Sequence, residues 1–526
     1  MGSMEQSLRA DIAIIGGGVG GCAAALAACS LGKRVCMTEE FDWIGGQLTS
    51  QAVPPDEHKW IEQFGCTRSY RKFRDQVRGY YRSHYPLSEY GRAAYYLNPG
   101  NGGVSRLCAE PRVMHAVLQQ MLAPFINSGK LTILTRCKII KAHTQGDRIL
   151  AVTVKKDDGE RRIIEAPYFL DATECGDLLP LAHVEYVTGA ESKQETHEPH
   201  ALDGPADPQD IQAFTYCFAM DYLEGEHHVI NRPKDYSFWR SFQAPFWPNP
   251  QLNWVSPDPK TLEPTEETLF PGTDKYPLFI YRRIVDRANF LPGTYESDIS
   301  LVNWAQNDYF LGNIYDVPEQ EAKKHLHQAK QLSLSLLYWL QTEAPRPDGG
   351  AGYPGLRLRP DVVGTEDGMA QAPYIRESRR IKAEFTVLEQ HVSAAVREEC
   401  GAEEFPDSVG IGCYRIDLHP SMRGRNFLDI SSVPFQIPLG SLIPRRVTNL
   451  LAACKNIGTT HITNGCYRLH PVEWNIGESA GYTAAFCLER GLTPSEVRAS
   501  AEKLKELQAL LTTNGVELEW PKIGAV

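Results

Sequence analysis

The chain has 526 residues, 42% apolar and 23% charged, with a formal net charge of −11 and no long Lys/Arg run, which argues against nucleic acid or an anionic membrane as its main partner. No apolar run approaches the roughly 18 residues of a membrane span. Thirteen cysteines, odd in number and without a C-x-x-C pair, exclude a C-x-x-C dithiol reductase and a zinc ribbon and point to a reducing compartment, the cytoplasm by default. The length suits two or three domains, or one discontinuous domain with an insertion. Met1-Gly2-Ser3-Met4 reads as an appended remnant, and no signal peptide is expected after it.

The first element is the apolar run Ile12 to Ile15, followed by Gly16-x-Gly18-x-x-Gly21 and an alanine-rich helix that stops at Gly32. A second apolar run, Val35 to Met37, leads to Glu39, 18 residues after Gly21. Each piece has a mechanical reason. Gly16 permits the tight turn, Gly18 lets backbone approach a pyrophosphate, and Gly21 lets helix and strand pack closely. The helix start offers N–H donors and a positive dipole end to phosphates. An acid at Glu39 accepts hydrogen bonds from a ribose diol. Gly16, Gly18, Gly20, Gly21 and Glu39 are therefore the expected dinucleotide-binding residues. A second match, Gly350-x-Gly352-x-x-Gly355, follows no strand, contains Pro354 and is expected to be a loop.

The motif does not choose between NAD and FAD, but its continuation "EEFDWIGGQLTSQ" does. It resembles FAD-dependent oxidoreductases with the glutathione-reductase-type fold, of the p-hydroxybenzoate-hydroxylase sort. In that family a Gly-Gly-Gln loop after the acid touches the pyrophosphate and ribityl chain, matched here by Gly45, Gly46 and Gln47. An apolar stripe from Pro111 to about Asn127 predicts a helix. "LTILTRCKIIKAH" reads as strand, and the resemblance places the adenine against backbone near Lys138 and Ile139. A hairpin turning at Asp157-Asp158-Gly159 precedes "YFLDATECGD". There Asp171, Ala172 and Thr173 match the family's D-A-T-G, with Glu174 standing where glycine is usual.

Residues 56–104 and 191–439, rich in aromatics and prolines, are expected to form a substrate domain with helices near 318–341 and 379–397. His227-His228 and His325-x-His327 lack partners at metal spacing and read as surface features, so no metal is expected. "PYIRESRRI" offers Arg376, Arg379 and Arg380 to a substrate carboxylate; the competing reading is a helix face ion-paired with Glu377.

Near the C-terminus, "NIGESAG" contains G-x-S-x-G, but no histidine follows Ser479 to serve as its base. The surrounding "NLLAACKNIGTTHITNGCYRLHPVEWNIGESAGYTAA" instead resembles the family's closing FAD motif, with Cys454-Lys455 replacing the usual Gly-Asp. The resemblance implies that Asn475, Ile476 and Gly477 present N–H groups to flavin N1 and O2. It also places His419, His461, Arg468, His470 and Glu473 around the flavin entrance. His470 is the first candidate for the base, against the plainer reading that it fixes its loop through a backbone hydrogen bond. Arg468 is expected to hold a carboxylate or to stabilise charge on reduced flavin.

The expected fold is α/β: a Rossmann-like three-layer FAD-binding domain, discontinuous over 8–55, 105–190 and 440–490, with an inserted α+β substrate domain and a helical segment at 491–526. The expected activity is oxidation of a small polar substrate by hydride transfer to flavin N5, with electrons passed to oxygen or another acceptor. With no second dinucleotide fold in the chain, an oxidase or dehydrogenase is favoured. The alternatives are an NAD(P)H-using flavin monooxygenase and a non-redox flavin-containing binding protein.

Overall fold

The computed structural model describes residues 6–272, 274–397, 400–521 and 523–526. Its centre is a parallel five-stranded sheet in the order Leu450–Ala452, Tyr168–Asp171, Ile12–Ile15, Val35–Thr38, Leu131–Leu134. The first four of these strands are buried along their whole length, as uninterrupted apolar runs in a sheet covered on both faces must be. Because all five run the same way, the loops after Ile15, Thr38, Asp171 and Ala452 gather at one edge, where open α/β sheets bind ligands.

Helix Val19–Ser30 crosses from strand Ile12–Ile15 to strand Val35–Thr38, and helix His470–Arg490 packs along it. A second sheet orders Gln6–Arg9, Arg161–Glu165, Arg148–Lys156 and Cys137–Gln145, and turns at the expected Asp157–Gly159 hairpin. Its inward residues Ile139, Val152 and Ile164 join the same hydrophobic core as Ile12 and Ile14. The fold is α/β, as the sequence predicts.

A second core gathers around the antiparallel sheet Arg283–Val285, Ile299–Val302, Phe218–Tyr222, Leu356–Leu358 and helix Glu319–Thr342. Much of it is aromatic, including Trp239, Trp254 and Trp339, so these rings are packing material. Helices Pro494–Ala499 and Ala501–Thr513 close the chain. The second G-x-G-x-x-G lies in the loop before Leu356.

Two expectations are corrected. No helix spans 379–397: Arg380–Ile381 is a strand paired with Tyr186–Val187, and only the short helices Glu389–Val392 and Ala394–Arg397 follow. Its arginines are buried on all sides by ion pairs, which a solvent-facing helix could not supply. His325 is buried rather than on the surface, its Nδ1 against the Tyr309 hydroxyl at 2.6 Å. Among the described residues no helix is long and apolar enough to cross a membrane.

Candidate active site

The strand Ile12–Ile15 ends at Gly16, whose φ of +101° makes the turn. A Cβ there would lie 2.3 Å from the Ala172 carbonyl oxygen, so only glycine fits. Helix Val19–Ser30 begins on Gly18 with no side-chain cap and no acid in its first turn. The Gly20 N–H in that turn reaches Glu473 Oε1 at 3.4 Å, and the Val19 and Gly21 N–H groups are left by position to an anion. The Glu39 carboxylate accepts N–H bonds from Gly17 at 3.1 Å and Phe41 at 2.9 Å. Burial pushes its pKa up to about 8, with Glu174 and Glu40 adding to the rise. Glu39, Lys138, Ile139, Ala172 and Thr173 line one cavity of about 260 Å³ with Gly16 and Gly18. Asp171 sits beneath it, accepting from Thr173 N at 3.0 Å and Oγ1 at 2.7 Å to fix the turn.

Gly45 and Gly46, at φ +109° and +49°, lead the Gly46–Leu48 turn, and Gly45 N–H bonds the Gly17 carbonyl at 2.7 Å. Gln47 Nε2 donates to Glu473 Oε2 at 2.5 Å and to the Arg468 carbonyl at 3.0 Å. Glu174 reaches into the same place. Its Oε1 lies 2.6 Å from where a Cβ on Gly18 or Gly46 would stand. Its other oxygen pairs with the Lys455 ammonium, which also reaches Glu473 at 3.4 Å. The two departures from the family pattern thus compensate: an acid replaces glycine where a lysine replaces the acid. Burial alone would lower the Lys455 pKa, but Cys454, Glu174 and Glu473 outweigh it and hold it well above its usual value.

The helix carrying the closing motif starts at His470. Asn475, Ile476 and Gly477 therefore lie inside it, with their N–H groups in the helical ladder rather than free at its end, contrary to expectation. The groups free by position are those of His470 and Val472. The Asn475 side chain accepts from Ile411 N at 3.0 Å and donates to Ser479 at 3.0 Å. Ser479 itself is buried and donates to the Val409 carbonyl at 2.6 Å. It is a packing residue.

The histidines separate by the same accounting. His470 is fully buried, and its Nδ1 accepts the Asp56 N–H at 3.0 Å. Its single proton must then sit on Nε2, so no lone pair remains for a substrate proton. Burial, with Arg282 nearby, holds its pKa well below the usual value. His470 fixes the loop and is not the base. His461 Nδ1 faces both Glu377 carboxylate oxygens, at 3.0 and 2.9 Å, in the protein interior. Arg380 pairs with Glu377 and Glu191, and Arg379 with Asp177 and Asp316, so neither is free to clamp a substrate.

His419 differs. Its Nδ1 lies 2.6 Å from Asp308 Oδ2, and its Nε2 lies 3.7 Å from Asp417. It lines a second cavity, of about 440 Å³, together with Arg376, Arg468, Tyr374 and Asp56. Burial would raise the Asp308 and Asp417 pKa values, but positive neighbours outweigh it and lower both, led by Arg376 for Asp308 and His419 for Asp417. The segment Ala372–Arg376 divides the two cavities: Pro373 and Ile375 line the first, Tyr374 and Arg376 the second. From Pro373 to Arg376 the side chains alternate between the two as in extended backbone, and Ala372 also lines the first cavity. Gln47 and Asp56 connect the second cavity to the flavin loop through Arg468 and His470.

A family model described as FAD dependent oxidoreductase matches residues 11–511. The chain belongs to that family. The glycine cradle, the open helix start and the acid at Glu39 fit FAD, the cofactor of this oxidoreductase. Among curated proteins no sequence matches the chain. Among solved structures it is similar to L-proline dehydrogenase from P.horikoshii, at 14% identity over 37% of this chain and 27% of that one, with a TM-score of 0.18. It is also similar to the myxobacterial chondrochloren halogenase CndH, at 15% identity over 42% of this chain and 45% of that one, TM-score 0.22. The aromatic hydroxylase CabE from angucycline biosynthesis aligns at 14% identity over 43% of this chain and 40% of that one, TM-score 0.24. The chain thus spans less than half the length of each of these structures.

Sequence reasoning missed Asp56, Arg282, Asp308 and Asp417 in this FAD-dependent oxidoreductase. No single local motif joins them, since Asp56, Arg282 and Asp417 reach the cavity wall from separate parts of the chain and Asp308 is buried against His419. "YRIDLHP" did carry a signal, because Asp417 and His419 alternate onto one side of a short extended run.

Proposed function

We propose that this oxidoreductase oxidises a small polar substrate held in the 440 Å³ cavity, with His419 as the base. The observation that carries this reading is the Asp308–His419 pair, 2.6 Å apart, facing a cavity that abuts the flavin loop. Asp308 holds the Nδ1 proton and so leaves the Nε2 lone pair for an O–H or N–H proton of the substrate. Asp417 stands where it would stabilise the imidazolium that results. Arg376 fixes Asp308 from behind at 2.9 Å. FAD, when bound, supplies the hydride acceptor. Gly16 and Gly18 would let it approach the helix start, which Gly20 and Gly21 seat against the backbone of Ala453 and Gly16, and Glu39 would hold its ribose. Lys138 and Ile139, on the wall of the first cavity, would hold the adenine, and Gly45, Gly46 and Gln47 would close over the other side. Electrons pass on to oxygen or another acceptor. All 13 cysteines are free thiols, which suits a cytoplasmic setting.

The test is anaerobic stopped-flow bleaching of the flavin by amino acids, amines, hydroxy acids and phenols. One class should bleach it. His419→Ala should keep FAD and slow that bleaching about 10²- to 10⁴-fold. Bleaching at the normal rate in this variant would remove His419 from the chemistry, and fast bleaching by NAD(P)H alone would make the protein a monooxygenase.

A further inference from the structure

Four guanidinium groups line the second cavity, and in three of them the terminal nitrogens are committed to the protein. Arg376 pairs with Asp308 at 2.9 Å and bonds Thr215 at 2.9 Å and the Ala213 carbonyl at 3.0 Å. Arg415 holds Asp429, Ser431 and the Val526 carbonyl. Arg468 bonds both the carbonyl and the carboxylate of Asp417 at 3.1 Å.

Arg282 is different. It is only 8% exposed, yet its one hydrogen-bond partner among the described residues is Asp56. Nη1 stands 3.3 and 3.5 Å from the two carboxylate oxygens, at the outer limit for such a bond. Nε has no partner at all. A guanidinium carries five N–H donors in a planar fork, and burying them unmade is costly. Such a group is complete only with a further acceptor. Four neighbours on the cavity wall also carry a buried donor without a partner: Arg376 Nε, Arg468 Nε, Asn303 Nδ2 and Trp304 Nε1. No buried acceptor on that wall is left over in the same way among the described residues. The missing ligand is therefore rich in acceptors.

We propose that the substrate of this oxidoreductase is a small monocarboxylate, anchored by Arg282. This rests on the reading of the cavity as the substrate chamber. The planar fork matches a carboxylate through two parallel bonds. The Tyr281 ring, 5.2 Å from the guanidinium carbon, holds the fork in plane. A single negative charge suits the site, because Asp56, Asp417 and Asp429 also line it and would repel a dianion such as phosphate. Asp56 is the internal stand-in that the substrate carboxylate joins or displaces.

The probes are benzoate and acetate, against their neutral isosteres benzamide and acetamide, titrated into the FAD-loaded protein and read from the flavin difference spectrum. The carboxylates should bind at least about 10-fold more tightly than the amides. Arg282→Gln should weaken benzoate about 10- to 150-fold at unchanged FAD content, the loss expected for one charged hydrogen-bonded contact. Arg282→Lys should restore part of it. Equal binding of acid and amide by the unmodified protein overturns the proposal without any variant. So does benzoate binding that is unchanged in Arg282→Gln, or phosphate that competes as well as benzoate does. These readouts need no turnover. If His419→Ala bleaches normally while benzoate still depends on Arg282, the base assignment fails and the anchor stands; the reverse result removes the anchor alone.

Discussion

Two side chains show how much a single lone pair or carboxylate decides. His470 and His419 are both placed beside the cavity loops, but the Asp56 N–H occupies the only basic nitrogen of the first. Asp308 occupies the protonated nitrogen of the second and leaves the basic one open. Glu39 is the corresponding case on the cofactor side. Its carboxylate is held in place by two backbone N–H groups and keeps acceptor capacity toward the cavity. Above its pKa of about 8 Glu39 is ionised, and a hydrogen bond to a charged group contributes about 1.5–3 kcal/mol, so in that range Glu39→Ala should weaken FAD binding to the apoprotein roughly 10- to 150-fold. Titration of the apoprotein followed by flavin fluorescence measures this directly. An unchanged affinity would place the ribose elsewhere.

At the level of elements, the cofactor cradle depends on how closely two helices approach. Helix His470–Arg490 lies against helix Val19–Ser30 through facing glycines. A Cβ on Gly477 would stand 2.0 Å from the Gly20 carbonyl oxygen, and one on Gly481 2.5 Å from that of Ala24. Neither contact can be relieved by a side chain, because the obstacle is backbone. Gly477→Ala should therefore push the helices apart, costing about 1–3 kcal/mol of stability. It should also weaken FAD binding, since Gly20 belongs to the first turn that faces the pyrophosphate. Thermal unfolding and FAD content of the purified variant report the two effects. A variant with normal melting would mean that the seam yields more easily than its geometry suggests. The glycines around Ser479 are there for this seam, which is why a serine-hydrolase pattern appears without the chemistry.

Across the whole molecule, the buried acids set a pH dependence. Burial, as the largest cause, pushes Glu39 up to about 8 and Asp171, Glu198 and Glu478 to about 7 each. Their pKa values in the unfolded chain lie near 4, so between pH 6.5 and 8 the folded protein holds protons that the unfolded chain has lost. Raised acids contribute stability that is lost as pH rises through the folded value. Carboxyls that are lowered, such as Glu62 and Glu377, are ionised in both states across this window and add no slope. Buried histidines with lowered values, such as His115 and His470, are neutral in both states toward its upper end. The apoprotein should therefore melt at a lower temperature at pH 8 than at pH 6.5, each acid contributing up to about 1.4 kcal/mol per pH unit. Glu39→Gln should flatten the decline. A melting temperature that rises over this range would contradict the burial argument.

The sequence by itself determined the nucleotide-binding half of the protein. Strand, glycine turn, helix and acid are local features whose spacing fixes their geometry, so Gly16, Gly18, Gly21 and Glu39 were legible from residues 12–39 alone. The failure of Ser479 as a nucleophile was legible too, through the absence of a following histidine, whereas the seam of Gly477 and Gly481 was not. Only the tertiary structure decided the chemistry of the second cavity. The pairing of His419 with Asp308 joins residues 111 positions apart, and that of Arg282 with Asp56 joins residues 226 apart. No periodicity records such meetings. The same holds for His470, whose identity suggested a base but whose function is set by which nitrogen a distant backbone N–H reaches. A helix start at His470, five residues before Asn475, was equally hidden, because Pro471 at its first turn, rather than the small residues, nucleates it. Local backbone chemistry is written along the chain, whereas protonation and charge pairing belong to the neighbours that folding brings together.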